Sequence, residues 1–114
     1  MSDTEWIGVD LDGTLAVYDE WRGPEHIGEP IPLMVQRVRG WLIGGYPVKI
    51  FTARVSSGNP ERVKSLEAIR RWSLKVFGVA LPATAEKDYG MIELWDDRCR
   101  RVEPNTGIEI GVNP

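Results

Sequence analysis

At 114 residues, with 42% apolar and 27% charged residues, the chain has the size and composition of one soluble globular domain, spanning 1–114, and is too short for two. Its formal charge of −3 argues against a broad nucleic-acid-coating surface, though not against local recognition of a nucleic-acid end. No apolar run approaches the ~20 residues of a membrane span, the amino terminus lacks a basic region followed by an apolar stretch, and Cys99 alone cannot close an internal disulfide; the expected location is the reducing cytoplasm.

In chain order, Trp6–Val9 reads as a strand apolar enough to be buried on both faces. Residues 16–31 show no period and carry Gly23, Pro24, Gly28 and Pro30, so they are expected to form a long ordered loop. From Pro32, the spacing of Val35, Val38 and Trp41/Leu42 gives a helix stripe closed by Gly44-Gly45, and Val48–Phe51 is the second strand. Asn59-Pro60-Glu61 is a helix start, with the apolar stripe of Val63, Leu66, Ile69 and Leu74 running to Gly78. Leu81–Thr84, Ile92–Trp95 and Arg101–Glu103 read as a third, fourth and fifth strand. Strands alternating with helices imply an α/β fold, a Rossmann-like three-layer sandwich around a parallel sheet of about five strands. Ligands collect beyond the carboxyl ends of such strands. Asp10, Thr52 and Asp96 each follow a strand run and should meet there.

Asp10 and Asp12, one residue apart, run into a glycine turn at Gly13 and a hydroxyl at Thr14. Two crowded carboxylates repel unless a cation or shared proton relieves them. That pattern suits a nucleophilic carboxylate beside a proton-transferring one, with a hard divalent cation between. The second acidic pair, Asp96-Asp97, also stands at a strand end. An all-oxygen set without a Cys/His cluster suits magnesium rather than zinc. Thr52 ends the second strand run and offers a hydroxyl at the same edge. Arg54 reads either as a bidentate phosphate clamp or as a solvated loop arginine. Lys87 is preferred over Lys64 as the fixed ammonium offsetting the carboxylates, because Lys64 falls on a helix of exposed charge. Tyr18, Trp21, Arg22 and His26 share the 16–31 loop, a composition able to stack on a base or simply to pin the loop. Trp41 and Trp72, at helical positions, are expected to pack.

Asp10-Leu11-Asp12-Gly13-Thr14-Leu15, followed by Ile50-Phe51-Thr52-Ala53-Arg54, Lys87 and Leu94-Trp95-Asp96-Asp97, resembles the ordered motifs of the haloacid dehalogenase superfamily, from about Trp6 to Gly107. The resemblance implies a magnesium-dependent phosphomonoesterase. Asp10 would be the nucleophile forming an aspartyl-phosphate and Asp12 the general acid and base; Thr52 and Lys87 would hold the phosphoryl group, with Gly13, Thr14 and Arg54 binding substrate. Asp10, the Asp12 carbonyl, Asp96 and Asp97 would hold the metal, Asp97 through water or by pairing with Lys87 instead. The chain offers no cap domain, and capless members act on bulky substrates or close the site by oligomerising. Asp96-Asp97-Arg98 and the threonine–x–arginine motif are similar to the phosphatase half of phage-type polynucleotide kinase/phosphatases, which implies a phosphorylated nucleotide or nucleic-acid 3′ end as substrate. Sugar phosphates are the alternative substrate class. A non-catalytic metal- and phosphate-binding module is the alternative to an enzyme.

Overall fold

The computed structural model describes residues 5–111. Strand β1 (Trp6–Asp10) is the centre of the molecule: Trp6, Ile7 and Val9 are almost fully buried, as a strand flanked on both edges requires. It pairs in parallel with β2 (Val48–Phe51) on one side and with β4 (Met91–Trp95) on the other. Beyond β2 lies the short β3 (Ala83–Thr84), giving the order β3-β2-β1-β4.

The expected fifth parallel strand is corrected. Arg101–Val102 (β5) instead pairs antiparallel with Glu109–Ile110 (β6) in a separate hairpin, so the parallel sheet of the described residues has four strands. A Pro104-Asn105 turn, with Asn105 at φ 66°, returns the chain on itself before it can join the sheet edge.

Helix α1 (Pro32–Ile43) starts on a proline, whose fixed φ suits a first turn, and buries Met34, Val35 and Val38. Helix α2 (Arg62–Phe77) buries Ser65, Ala68, Ile69 and Ser73, and Gly78 ends it in the left-handed conformation (φ 79°). It begins two residues later than the Asn59-Pro60 signal suggests, because the Asn59 side chain accepts from the Glu61 N–H while donating to the Arg54 carbonyl. Val9, Val48 and Ile50 share one core cluster with Val35, Val38 and Ile69, and the register sets Val9 beside Ile50. Both helices therefore cover the same sheet face. This corrects the three-layer expectation: only residues 85–90 connect β3 to β4, too few for a covering helix, and among the described residues the second face carries none. There the Trp6 ring packs across Gly8, where a Cβ would lie 3.1 Å from it. Lys49 Nζ caps the ring at 4.7 Å, and Trp6 Nε1 donates to Asp88. One aromatic plug thus does part of the work of a missing layer.

Residues 16–31 form the ordered loop expected. The Val17 N–H donates to the Glu29 carbonyl, Ile31 N–H to the Leu15 carbonyl, and Trp72 Nε1 to the Gly28 carbonyl. Trp41 packs against Trp95 at 5.2 Å and Trp72 against Phe77 at 6.3 Å, as packing residues should.

At Gly28 the loop passes so close to itself that a Cβ would sit 1.9 Å from the Val17 carbonyl oxygen, a backbone atom that cannot step aside. Gly28→Ala should therefore open the 17–29 pairing and destabilise the fold by about 1–3 kcal/mol or more, read as a lowered urea midpoint at unchanged slope. An unchanged midpoint would mean that the loop has no fixed path.

Candidate functional site

The site forms at the carboxyl edge of β1 and β4, and strand register decides which residues meet there. Trp6 pairs with Met91 but Ile7 with Glu93, so Ile92 is an extra residue in β4. This bulge carries Val9 alongside Trp95 and therefore brings Asp96, not Trp95, level with Asp10. Asp97 follows on the turn, where the Arg98 N–H donates to Asp96 Oδ1 at 2.9 Å. Carboxylate oxygens of Asp10, Asp96 and Asp97 all lie within 4.8 Å of one another.

Thr14 knits the cluster together. Its hydroxyl faces two acceptors, Asp97 Oδ1 at 2.9 Å and Asp10 Oδ2 at 3.2 Å, and itself accepts from the Asp97 N–H at 2.9 Å. The turn beneath is closed by the Gly13 N–H donating to Ala16 and by the N–H groups of Thr14, Leu15 and Ala16 converging on the Leu11 carbonyl. Gly13 is fixed for two reasons: its φ is +89°, and a Cβ would lie 2.7 Å from Asp97 Oδ2.

Crowding shows in the charges. Burial, a hydrogen bond to Asp97 and the neighbouring charge of Asp96 push Asp10 up to about 7. Asp97 moves the other way: its own partial burial would raise it, but hydrogen bonds from Asp10 and Thr14 outweigh that and lower it. The crowding therefore favours the protonated form of Asp10 and the charged form of Asp97. A cation would favour the charged form of all three acids. Three convergent carboxylates are the hard-oxygen set that a divalent ion such as magnesium takes.

Asp12 takes no part in this cluster. Its Oδ2 accepts from Arg54 Nε and its Oδ1 from Arg54 Nη2, both at 2.8 Å. Neither reading of Arg54 from sequence describes this. Its side chain is 6% exposed, so it is not a solvated loop residue, and its fork is committed to Asp12 rather than free for a phosphate. The third nitrogen, Nη1, donates to the His26 carbonyl at 3.0 Å and reaches the Pro24 carbonyl at 3.4 Å, and the Trp21 ring covers the guanidinium at 4.9 Å. Arg54 therefore ties Asp12 to the 16–31 loop. His26 contributes its backbone rather than its ring.

Thr52 is buried at the end of β2, where its Oγ1 accepts from the Arg54 N–H and caps the 3-10 turn Ala53–Val55. Lys87 lies exposed beyond β3 and, among the described residues, forms no ion pair with Asp97. Lys64 is exposed on α2, as its helical position suggested. The structure thus joins Asp10, Thr14, Asp96 and Asp97 around Gly13 and joins Asp12 to the Arg54 guanidinium, while Thr52 meets only the Arg54 N–H and Lys87 forms no ion pair with either group among the described residues. Sequence reasoning missed the Ile92 bulge and the carbonyls of Pro24 and His26. Backbone acceptors leave no mark in residue identity. No protein-family model, curated protein or solved structure matches this chain.

Two measurements check this geometry. Asp10 is raised above its ordinary value of 3.8, so the stability it contributes is complete below about pH 4 and lost as pH climbs through 7; the lowered Asp97 acts only below pH 4. Without metal, thermal stability should fall across pH 4–7. Magnesium near a hundredfold over its Kd should restore about 2.7 kcal/mol at pH 8, on the order of 10 °C, and far less at pH 5. A magnesium shift of equal size at both pH values would remove Asp10 from the cation site. Second, Arg54→Ala strips a partner from a half-buried carboxylate and releases the loop. It should cost about 3 kcal/mol and open residues 17–31 to limited proteolysis. Retained stability with a protected loop would show that Arg54 ties nothing.

Proposed function

We propose that the protein is a magnesium-dependent phosphomonoesterase of haloacid dehalogenase type, acting through an aspartyl-phosphate on Asp10, with nucleotide or nucleic-acid 3′-phosphates as its substrates. One observation carries the reading. Asp10 stands at the end of the central strand, held by Thr14 and grouped with Asp96 and Asp97 within 4.8 Å, a cluster whose mutual repulsion a cation would relieve. The four-stranded parallel order with β1 between β2 and β4 supports the same family, because it sets Asp10, Thr52 and Asp96 along one edge.

Asp10, Asp96 and Asp97 would hold the magnesium, with the Asp12 carbonyl as the family resemblance implies. The ion supplies neutralisation of the phosphoryl oxygens. An Asp10 carboxylate oxygen attacks phosphorus, forming one P–O bond as the bond to the leaving alcohol breaks. Asp12 gives that alcohol its proton. It then takes one from water, which attacks phosphorus, breaks the bond to Asp10 and frees inorganic phosphate. Thr52 can donate its hydroxyl proton to a phosphoryl oxygen, since Oγ1 only accepts from Arg54. Lys87, exposed beyond β3, would supply the ammonium that the family resemblance implies for the phosphoryl group.

For proton transfer, the Asp12 side chain must turn off Arg54, since both its oxygens are engaged there. That engagement favours the second reading, a metal- and phosphate-binding module without useful turnover. Aryl phosphate hydrolysis with and without chelator separates the two. The enzyme reading expects magnesium-dependent turnover that Asp10→Asn abolishes with the fold intact. Asp12→Asn should lower the rate by about a hundred- to ten-thousand-fold for poor leaving groups and less for good ones. Turnover that survives in Asp10→Asn would end the covalent mechanism, and none in the parent chain would leave the binding module.

A further inference from the structure

A groove of about 570 Å³ is lined by α1, α2 and residues 27–30 of the loop, and it shares no residue with the acid cluster. All three contribute apolar surface: Val35 from α1, Trp72 and Val76 from α2, Ile27 and Pro30 from the loop. A volume of that order suits a small molecule rather than a protein face.

A specific contact places the charge in this groove. Arg39 reaches across from α1, and its Nη2 donates to the Val76 carbonyl at 2.8 Å. That carbonyl belongs to the last turn of α2, where helix carbonyls lack intrahelical partners, so the guanidinium is held at the groove wall. Only Nη2 has an acceptor among the described residues, and neither Arg39 nor Lys75, which also lines the groove, forms an ion pair among them. Glu29 is the one acid in the lining, so two cations outweigh one carboxylate in a chain whose net charge is −3. That balance matches a monoanion. A carboxylate accepts from Arg39 and Lys75, and an apolar body attached to it removes Ile27, Trp72 and Val76 from water.

The loop wall connects this groove to Asp12. Trp72 Nε1 donates to the Gly28 carbonyl at 3.1 Å, and the Pro24 and His26 carbonyls accept from Arg54. A body lying against Ile27 and Trp72 therefore binds the closed loop and not an open one, and favours the closed loop by that difference. We infer that this groove is a binding site for a small carboxylic acid with an apolar body, and that its occupant locks the 16–31 loop in its Arg54-bound path. Such a site works whether or not Asp10 turns over a substrate.

The test titrates naphthaleneacetate into the isotope-labelled full chain, with naphthaleneacetamide as its neutral twin, and follows the indole N–H signals by NMR. Five tryptophans give five such signals, and Trp72→Phe assigns the one in the groove. The acid should shift the Trp72 signal saturably, and the amide should bind about tenfold more weakly. Arg39→Gln should remove that advantage while binding the amide as the parent does, and Glu29→Gln should tighten the acid alone. If Arg39→Gln does not fold, Lys75→Gln should weaken the acid by about threefold and spare the amide. Ile27→Ala should weaken acid and amide alike. Limited proteolysis reads the loop: the acid should slow cleavage within residues 17–31 of the parent, and should not do so in Arg39→Gln at the same concentration. Equal affinity for acid and amide, an unchanged acid affinity in Arg39→Gln, or a Trp72 signal that never saturates overturns the site. Saturable binding that leaves the cleavage rate unchanged overturns the lock. Aryl phosphate hydrolysis is scored apart, since neither its presence nor its absence moves these readouts.

Discussion

Three carboxylates forced to one edge of a parallel sheet are the constraint around which the rest of this protein is arranged. Asp10 ends the most buried strand, and the Ile92 bulge brings Asp96 and Asp97 level with it. Left alone, such a cluster repels itself, and the crowding raises Asp10 while hydrogen bonds from Asp10 and Thr14 lower Asp97. Gly13 and Thr14 follow from the same requirement. The glycine makes room for the Asp97 carboxylate, and the threonine hydroxyl serves both acids.

The buried arginine is kept away from that cluster. Arg54 would neutralise it well, yet its guanidinium goes to Asp12, two loop carbonyls and an aromatic face. The acidic centre thus keeps its net negative charge, which a metal site needs, and the neighbouring carboxylate is mechanically coupled to the loop above it. A surface ion pair of this type contributes little, but one with a 6% exposed arginine and several further hydrogen bonds fixes orientation.

Among the described residues, helices cover the sheet on one side only. Trp6, laid over Gly8 and sealed by Lys49 and Asp88, closes the strand that carries Asp10 from behind. The site is built on a strand made rigid by α1 and α2 on one face and by this plug on the other. Proposed chemistry that depends on Asp10 staying in place has the support it needs from both.

Read alone, the sequence determined the alternation of strands and helices, the loop over residues 16–31 and the identity of the acidic residues. These rest on local rules: apolar runs four to five residues long, proline and glycine at helix ends, and strand ends marked by Asp10, Thr52 and Asp96. Only the tertiary structure decided where Arg101–Val102 pairs, since a two-residue strand has too little pattern to choose a partner. It alone also set the partner of Arg54. Asp12 lies 42 residues away, the loop carbonyls 28 and 30, and no local period records such a meeting. The bulge at Ile92 belongs with these, because a one-residue slip in register is invisible in a short apolar run until a second strand lies beside it.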